Sequence, residues 1–374
     1  MRMNPVALIF GSVAVFWAAF FVVVLVPTTT ISQQPSEIWR PLTKREERGR
    51  LIFIANGCTY CHSQYVRPQD WGLGAERIAQ SGDYRAQEPQ LLGSERTGPD
   101  LSQEGGEHPD DWHLAHFINP RSTRPLSLMP RFEFLPRAQI AVLTDYMQSL
   151  GGKAADYRVA RQRYWKRQAA AAYRAGVAPN IKWLHAHVPD VWLNMPNPYP
   201  PDPPALARGE NIYQTFCMGC HGEVGDGKGI AAPYLMPPPL DFTQLRNRLP
   251  KGKYIGGLLY YQVMNGITGT DMPYFKKELE SAKIWDVSNF IARNFVGYTD
   301  FHVAPLGIDA AYMTPPTLVL PYRPPAPVTP MPGREEMEHM KGMEHPQGAE
   351  EHQGMEQMPG MENMPGMEHP EGKR

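Results

Sequence analysis

Cys58-Thr59-Tyr60-Cys61-His62 and Cys217-Met218-Gly219-Cys220-His221 are two copies of one pattern, C-x-x-C-H, and together they use all four cysteines of the chain. In this pattern the two thiols form thioether bonds to the vinyl groups of a haem, and the adjacent histidine becomes the proximal ligand of its iron. Two chance matches would not be expected to leave no cysteine over. The competing reading of C-x-x-C pairs is zinc, which needs four ligands in one tetrahedron. A long proline-rich stretch separates the two pairs here, which argues against one shared four-cysteine site. The spacing therefore predicts two covalently attached haem c groups, held by Cys58, Cys61, His62 and by Cys217, Cys220, His221.

The chain has 374 residues, enough for two or three small domains, and a net charge of -1 that points to no nucleic acid partner. From Pro5 to Val26 an uncharged run rich in Val, Phe and Ala is long enough to cross a hydrocarbon core as a helix. It exceeds a signal-peptide apolar region, and no small-x-small cleavage site follows before Pro27, so an uncleaved anchor is expected. Arg2 is the only charge ahead of it, which favours an N-terminus on the cytoplasmic side. Haem c is attached outside the cytoplasm in bacteria. The expectation is a single-pass protein of the bacterial inner (cytoplasmic) membrane with its haem domains on the periplasmic side.

The surroundings of the two motifs repeat. Gly49 precedes Phe53 and Cys58; Gly209 precedes Tyr213 and Cys217. A glycine one turn before an aromatic lets two helices approach while the ring fills the contact beside the haem. Downstream of each motif stands a Met-Pro pair in a turn-rich loop, Met129-Pro130 and Met272-Pro273, and a thioether is a soft ligand suited to the sixth position of haem iron. Met129 and Met272 are the expected axial ligands, with His113 or His116 as rivals in the first domain and Met236 in the second. Closing helices follow, with Ile140, Leu143, Met147 and Leu150 at helical spacing before Gly151-Gly152, and Ile284, Val287, Phe290, Ile291 and Phe295 in the second domain. Gly98-Pro99-Asp100-Leu101 and Pro238-Pro239-Leu240 are either simple turns or presenters of a carbonyl to the proximal histidine, a contact that would fix the ring.

Between Lys153 and Lys182 eight basic residues face only Asp156, which reads as a helix with a solvated basic face. Asn197 to Pro204 is proline-rich and reads as a stiff linker. The tail is of another kind. Gly342-Met343-Glu344-His345-Pro346 recurs as Gly366-Met367-Glu368-His369-Pro370, with His339 ahead of the first copy, further methionines between, and almost no other large apolar residue. Such a segment is expected to be disordered. Thioethers with imidazoles are a ligand set for copper, so His339, Met343, His345, Met367 and His369 are candidate copper ligands, against the alternative of a solubilising acidic tail.

An N-terminal anchor followed by Cys58-Thr59-Tyr60-Cys61-His62-Ser63-Gln64, Val66-Arg67-Pro68, Arg96 to Leu101, Trp112-His113, His116, Asn119-Pro120-Arg121 and Met129-Pro130 resembles the membrane-anchored monohaem subunit of cbb3-type haem-copper oxidases, over roughly residues 1 to 152. The second half, with Gly225 to Gly229, Pro237 to Phe242 and Gly269 to Pro273, is similar to a generic class I cytochrome c domain. The family's monohaem subunit ends after one domain, whereas here a second haem motif and a metal-ligand-rich tail continue. The fold expectation is mainly α: a transmembrane helix in residues 1–30, class I cytochrome c domains in 31–152 and 205–300, a basic helix and Pro-rich linker in 153–204, and a disordered tail in 301–374.

The resemblance implies an electron-transfer subunit with no oxygen chemistry of its own, both irons being closed by methionine. A soluble or membrane donor, a cytochrome c or a copper protein, would reduce the second-domain haem, which would pass the electron to the first-domain haem and on to an integral-membrane haem-copper catalytic subunit. The competing functions are the electron-donating subunit of a nitric oxide reductase and, more distantly, a dihaem peroxidase, which would need one open iron.

Overall fold

Asn4 opens the first helix by accepting the backbone N–H of Val6 on its side chain, and Pro5 occupies the position where a missing N–H costs nothing. This helix, α1 (Pro5–Thr30), is 26 residues long, about 39 Å at the α-helical rise. That exceeds the roughly 30 Å of a hydrocarbon core. None of its residues is buried. Ser12, Thr29 and Thr30 return their hydroxyls to carbonyls four residues back, so these polar groups are satisfied within the helix. The turn widens to a π-helix at Phe21–Leu25, just ahead of Pro27, whose ring cannot sit in a regular ladder. The computed structural model describes residues 4–30, 34–66, 77–91, 93, 97–193, 195–247, 256–301, 303 and 322. Arg67, Pro68, Arg96 and the tail ligand candidates His339, Met343, His345, Met367 and His369 lie outside the described residues.

In the first domain α2 (Lys44–Ala55) begins with a reciprocal cap between Thr43 and Glu46. It crosses α4 (Arg137–Ser149), with α3 (Asp110–Ile118) packed beside α4. The crossing is close because of Gly49: a Cβ there would lie 2.2 Å from the Val142 carbonyl oxygen. Phe53 meets Tyr146 edge-on one turn later, with centroids 5.5 Å apart. Ile140, Leu143 and Met147 are all buried, each contributing about 2 kcal/mol of apolar burial.

The basic stretch forms α5 (Gly152–Arg174); Lys153, Arg163, Arg167 and Arg174 are exposed as expected of a solvated face, but part of that face is partnered. Arg158 donates to the carbonyls of Gly105 and Gln103, and Arg163 pairs with Asp110 at 3.0 Å. Lys166 reaches Asp111 at 2.7 Å and also Asp271, one residue from each haem-motif domain. The positive charges were legible; their carboxylate partners, brought from both sides by folding, were not. The chain then turns through α6 (Val177–Ala186) and α7 (Asp190–Leu193). Val188, Trp192 and Met195 enter the same core as Tyr213, Tyr260 and Trp285. Asn197, fully buried, donates to the Asn289 side chain at 2.5 Å. The start of the expected linker is thus anchored in the second domain, because Asn197 finds a buried amide partner.

The second domain repeats the first crossing. α8 (Pro203–Phe216), capped by Asp202, crosses α10 (Ser281–Phe290), with α9 (Gly257–Asn265) beside it. A Cβ at Gly209 would lie 2.2 Å from the Asp286 carbonyl oxygen, and Tyr213 packs on Phe290 at 5.6 Å. Among the described residues the only extended pairing is an isolated bridge between Asn197 and Val303. The two domains meet over a mixed surface. Ala115, Ala231 and Leu235 form a small apolar cluster there, flanked by the two-pronged Arg124–Glu278 pair at 2.7 and 2.8 Å and by the Tyr274 hydroxyl donating to Glu107.

Candidate functional site

After α2, Gly57 takes a left-handed conformation (φ 69°) that turns the chain into the 3-10 turn Cys58–Tyr60. His62 follows with its backbone N–H on the Cys58 carbonyl at 2.9 Å. Its Nδ1 lies 2.9 Å from the Pro99 carbonyl oxygen. That contact assigns the proton to Nδ1 and leaves Nε2 with its lone pair available to a metal. In the second domain the Nδ1 of His221 meets the Leu240 carbonyl oxygen at 3.1 Å in the same way. Both proline-containing segments therefore present a carbonyl rather than forming plain turns. Gly98 is tight against the first ring: a Cβ would come within 2.4 Å of His62 Cε1. The loop that carries Pro99 is stitched to the motif by Asp100, which accepts from the Ser63 hydroxyl and the Tyr65 N–H. Gln64, fully buried, exchanges hydrogen bonds with the Tyr146 hydroxyl at 2.9 and 3.1 Å.

Burial pushes the thiols of Cys58, Cys217 and Cys220 up to about 12. Among the described residues no three His, Cys, Asp or Glu side chains stand together as a metal site. All four cysteines are free of disulfides.

The second motif opens on a cavity of ≈ 600 Å³, lined by Cys217, Cys220, His221, Phe242, Leu259 and Met272. The His221 ring lies on Phe242 at 4.5 Å, and burial pushes it down to about 4, so it is neutral at physiological pH. Met272 is set by the turn that precedes it: its N–H reaches the Thr270 hydroxyl, and its carbonyl accepts from Ile267. His221 and Met272 thus face one space large enough to take a planar macrocycle, and the residues fit a haem. Met236 is partly exposed and outside that lining; its backbone N–H goes to Asp111. A further wall comes from α5 and α6, through Tyr173, Arg174, Trp183 and Leu184. The sequence reading missed this wall. The aromatics Trp165, Tyr173 and Trp183 spaced along the basic stretch were the available signal.

In the first domain Met129 Sδ lies 3.2 Å from His116 Nε2, so the expected ligand and one of its rivals converge. His113 does not join them; its Nε2 faces Glu104 at 3.5 Å. Burial pushes His113 down to about 4 and His116 to about 3. The rings of His108, Trp112 and His116 form a stack, with Trp112 centroids 3.7 Å from His108 and 4.6 Å from His116.

The family model described as cytochrome c oxidase, mono-heme subunit/FixO matches residues 1–187. The chain belongs to the FixO family. A second model, cytochrome c oxidase, cbb3-type, subunit III, matches residues 204–291. This FixO-family chain therefore joins two cytochrome c-type domains of the cbb3-type oxidase, a class of domain that carries haem c covalently. It is a cytochrome c subunit of that oxidase, associated with a membrane-bound haem-copper catalytic complex, and α1 is its membrane anchor. Among solved structures, a chain of the reducing HAO-like protein complex of Kuenenia stuttgartiensis is 20% identical, with 68% of this chain and 98% of that chain covered, at a TM-score of 0.22. No curated protein matches.

Proposed function

We propose that this chain carries electrons from a periplasmic donor through its second domain into its first, and from there to the haem-copper catalytic subunit. In this reading Cys58, Cys61, His62 and Met129 hold one haem c, and Cys217, Cys220, His221 and Met272 hold another. Haem c supplies a reversible one-electron couple when bound. The protein's part is to fix each proximal ring through a carbonyl, exclude water and hold the two cradles together.

One observation carries the proposal. Cys220 Sγ lies 3.9 Å from the Ser122 carbonyl oxygen, and a Cβ on Gly219 would come within 2.3 Å of that same oxygen. Ser122 precedes Thr123, whose hydroxyl is 2.7 Å from His116 Nδ1, and His116 reaches Met129. The attachment edge of the second cradle is thereby in contact with the distal wall of the first. The FixO match supports an oxidase over a nitric oxide reductase or a peroxidase.

The test is the intact complex with Cys217→Ala and Cys220→Ala. Donor-driven oxygen consumption should fall at least tenfold, while turnover with a small-molecule reductant that reaches the first domain directly continues. Unchanged donor-driven turnover would sink the proposed order. We also infer that the Met- and His-rich tail binds copper, on the ligand chemistry of its repeat. Calorimetric titration of the full chain and a chain lacking residues 334–374 with Cu(I) tests this; equal heats would remove it.

A further inference from the structure

We propose that His116 is a second, reserve ligand for the sixth position of the first-domain iron, able to replace Met129. The inference rests on the reading that His62 and Met129 are the axial pair. Its basis is the meeting of two donor atoms of different chemistry, Nε2 and Sδ, 3.2 Å apart. Two donors that close reach the same coordination site, and only one can occupy it.

The imidazole is already arranged as a metal ligand. The Thr123 hydroxyl lies 3.2 Å from the Pro120 carbonyl oxygen and 2.7 Å from His116 Nδ1. A hydroxyl has one proton. Directed at the Pro120 carbonyl, that proton leaves the Thr123 oxygen to accept Nδ1–H, and Nε2 then carries a lone pair facing the sulfur. Orientation of a ligating histidine by a hydrogen bond to its other nitrogen is how metal-binding imidazoles are held. The ring plane is also fixed, because Trp112 stacks on it within 9° of parallel.

The two donors sit on backbone of different kinds. His116 belongs to α3, whereas Met129 follows an irregular segment in which Leu126 and Leu128 are exposed. Withdrawal of the sulfur requires movement of that loop alone, and the nitrogen is in place without a rearrangement of the helix. Exchange of thioether for imidazole would lower the reduction potential of the first haem, since methionine ligation raises it.

The experiment uses haem-loaded protein. Met129→Leu should remain six-coordinate and low-spin, bind no carbon monoxide at the first haem, show two nitrogen ligands by electron paramagnetic resonance, and lose half of the sulfur-to-iron charge-transfer band. The remaining half belongs to the second haem and serves as internal reference. Adding His116→Leu should make the first haem high-spin and open to carbon monoxide. A high-spin, carbon monoxide-binding first haem in Met129→Leu alone overturns the proposal while leaving Met129 as ligand. An undiminished sulfur band in Met129→Leu overturns instead the assignment of Met129 beneath it. His116→Leu alone should keep both sulfur bands; loss of one would make His116 a positioning residue for the sulfur and overturn the replacement role. Met129→Gln, a polar side chain of similar length, provides the same readout if the leucine variant does not incorporate haem.

Discussion

The two haem-motif domains share one helix crossing and differ in what is packed behind it. In each, a glycine lets the N-terminal helix touch the backbone of the closing helix, and an aromatic four residues later seals the contact. Behind the first crossing lies a polar lattice of Gln64, Tyr146, Asp100 and Ser63, with a histidine-tryptophan stack on the distal side. Behind the second lie stacked aromatics, Trp192 on Tyr260 at 5.3 Å and Tyr260 on Trp285 at 4.4 Å. The shared part is what the backbone needs to make a cradle. The part that differs sets which side chains pack against each cradle.

The largest effect should come from the shared part. Gly49→Ala and Gly209→Ala each drive a Cβ into a backbone carbonyl and should destabilise their own domain by about 3 kcal/mol or more, read by denaturant unfolding of each haem's absorption. If one domain tolerates the change, the equivalence of the two crossings fails. Next, Lys166→Met leaves the half-shielded Asp111 and the buried Asp271 without their cation. The expected loss is about 3 kcal/mol, the low end for breaking a buried pair, because the buried Asp271 carboxyl is already pushed well above its usual range and can take up a proton. Loss of cooperativity between the two domains' unfolding transitions is the readout, and unaltered coupling would show that α5 does not bind them together.

Acid should weaken both domains, since His221 in the second is held down to about 4 as His113 is in the first. His113 is held down to about 4 when folded, against about 6.5 unfolded. Between these values the unfolded chain binds more protons, so the stability is complete above about pH 6.5 and is lost as pH falls toward 4. The loss is about 2 kcal/mol at pH 5. His113→Phe should flatten this dependence in the first domain; an unchanged slope would assign the acid sensitivity elsewhere. The smallest effect is expected at the rim. Arg124→Ala removes a two-pronged but partly exposed pair with Glu278 and should cost about 0.5 kcal/mol, vanishing at high salt.

Much of this was legible in residue order. The thiol pairs, the proximal histidines and the glycine-aromatic crossings are local patterns whose spacing is set by one or two helical turns. The turn-rich run before Met272 marked a loop that the structure brings to the cavity beside His221. The role of α5 was not legible, since a run of arginines and lysines reads the same whether it faces water or carboxylates. Sequence favoured Met129 over His116 from its Met-Pro setting, but could not show that the two donor atoms, thirteen positions apart, meet at 3.2 Å.

The sequence by itself determined that the chain has two C-x-x-C-H motifs, an apolar run long enough for a membrane anchor and a repeated glycine-aromatic spacing, because these patterns act over short distances along the chain. Only the tertiary structure decided that Pro99 and Leu240 supply the orienting carbonyls, that Lys166 meets an aspartate 105 residues away, and that Cys220 lies against Ser122, 98 residues before it. Those contacts join residues with no local relation. They exist because burying the apolar faces of both domains leaves their polar rims against one another, where each charge and carbonyl must find a partner.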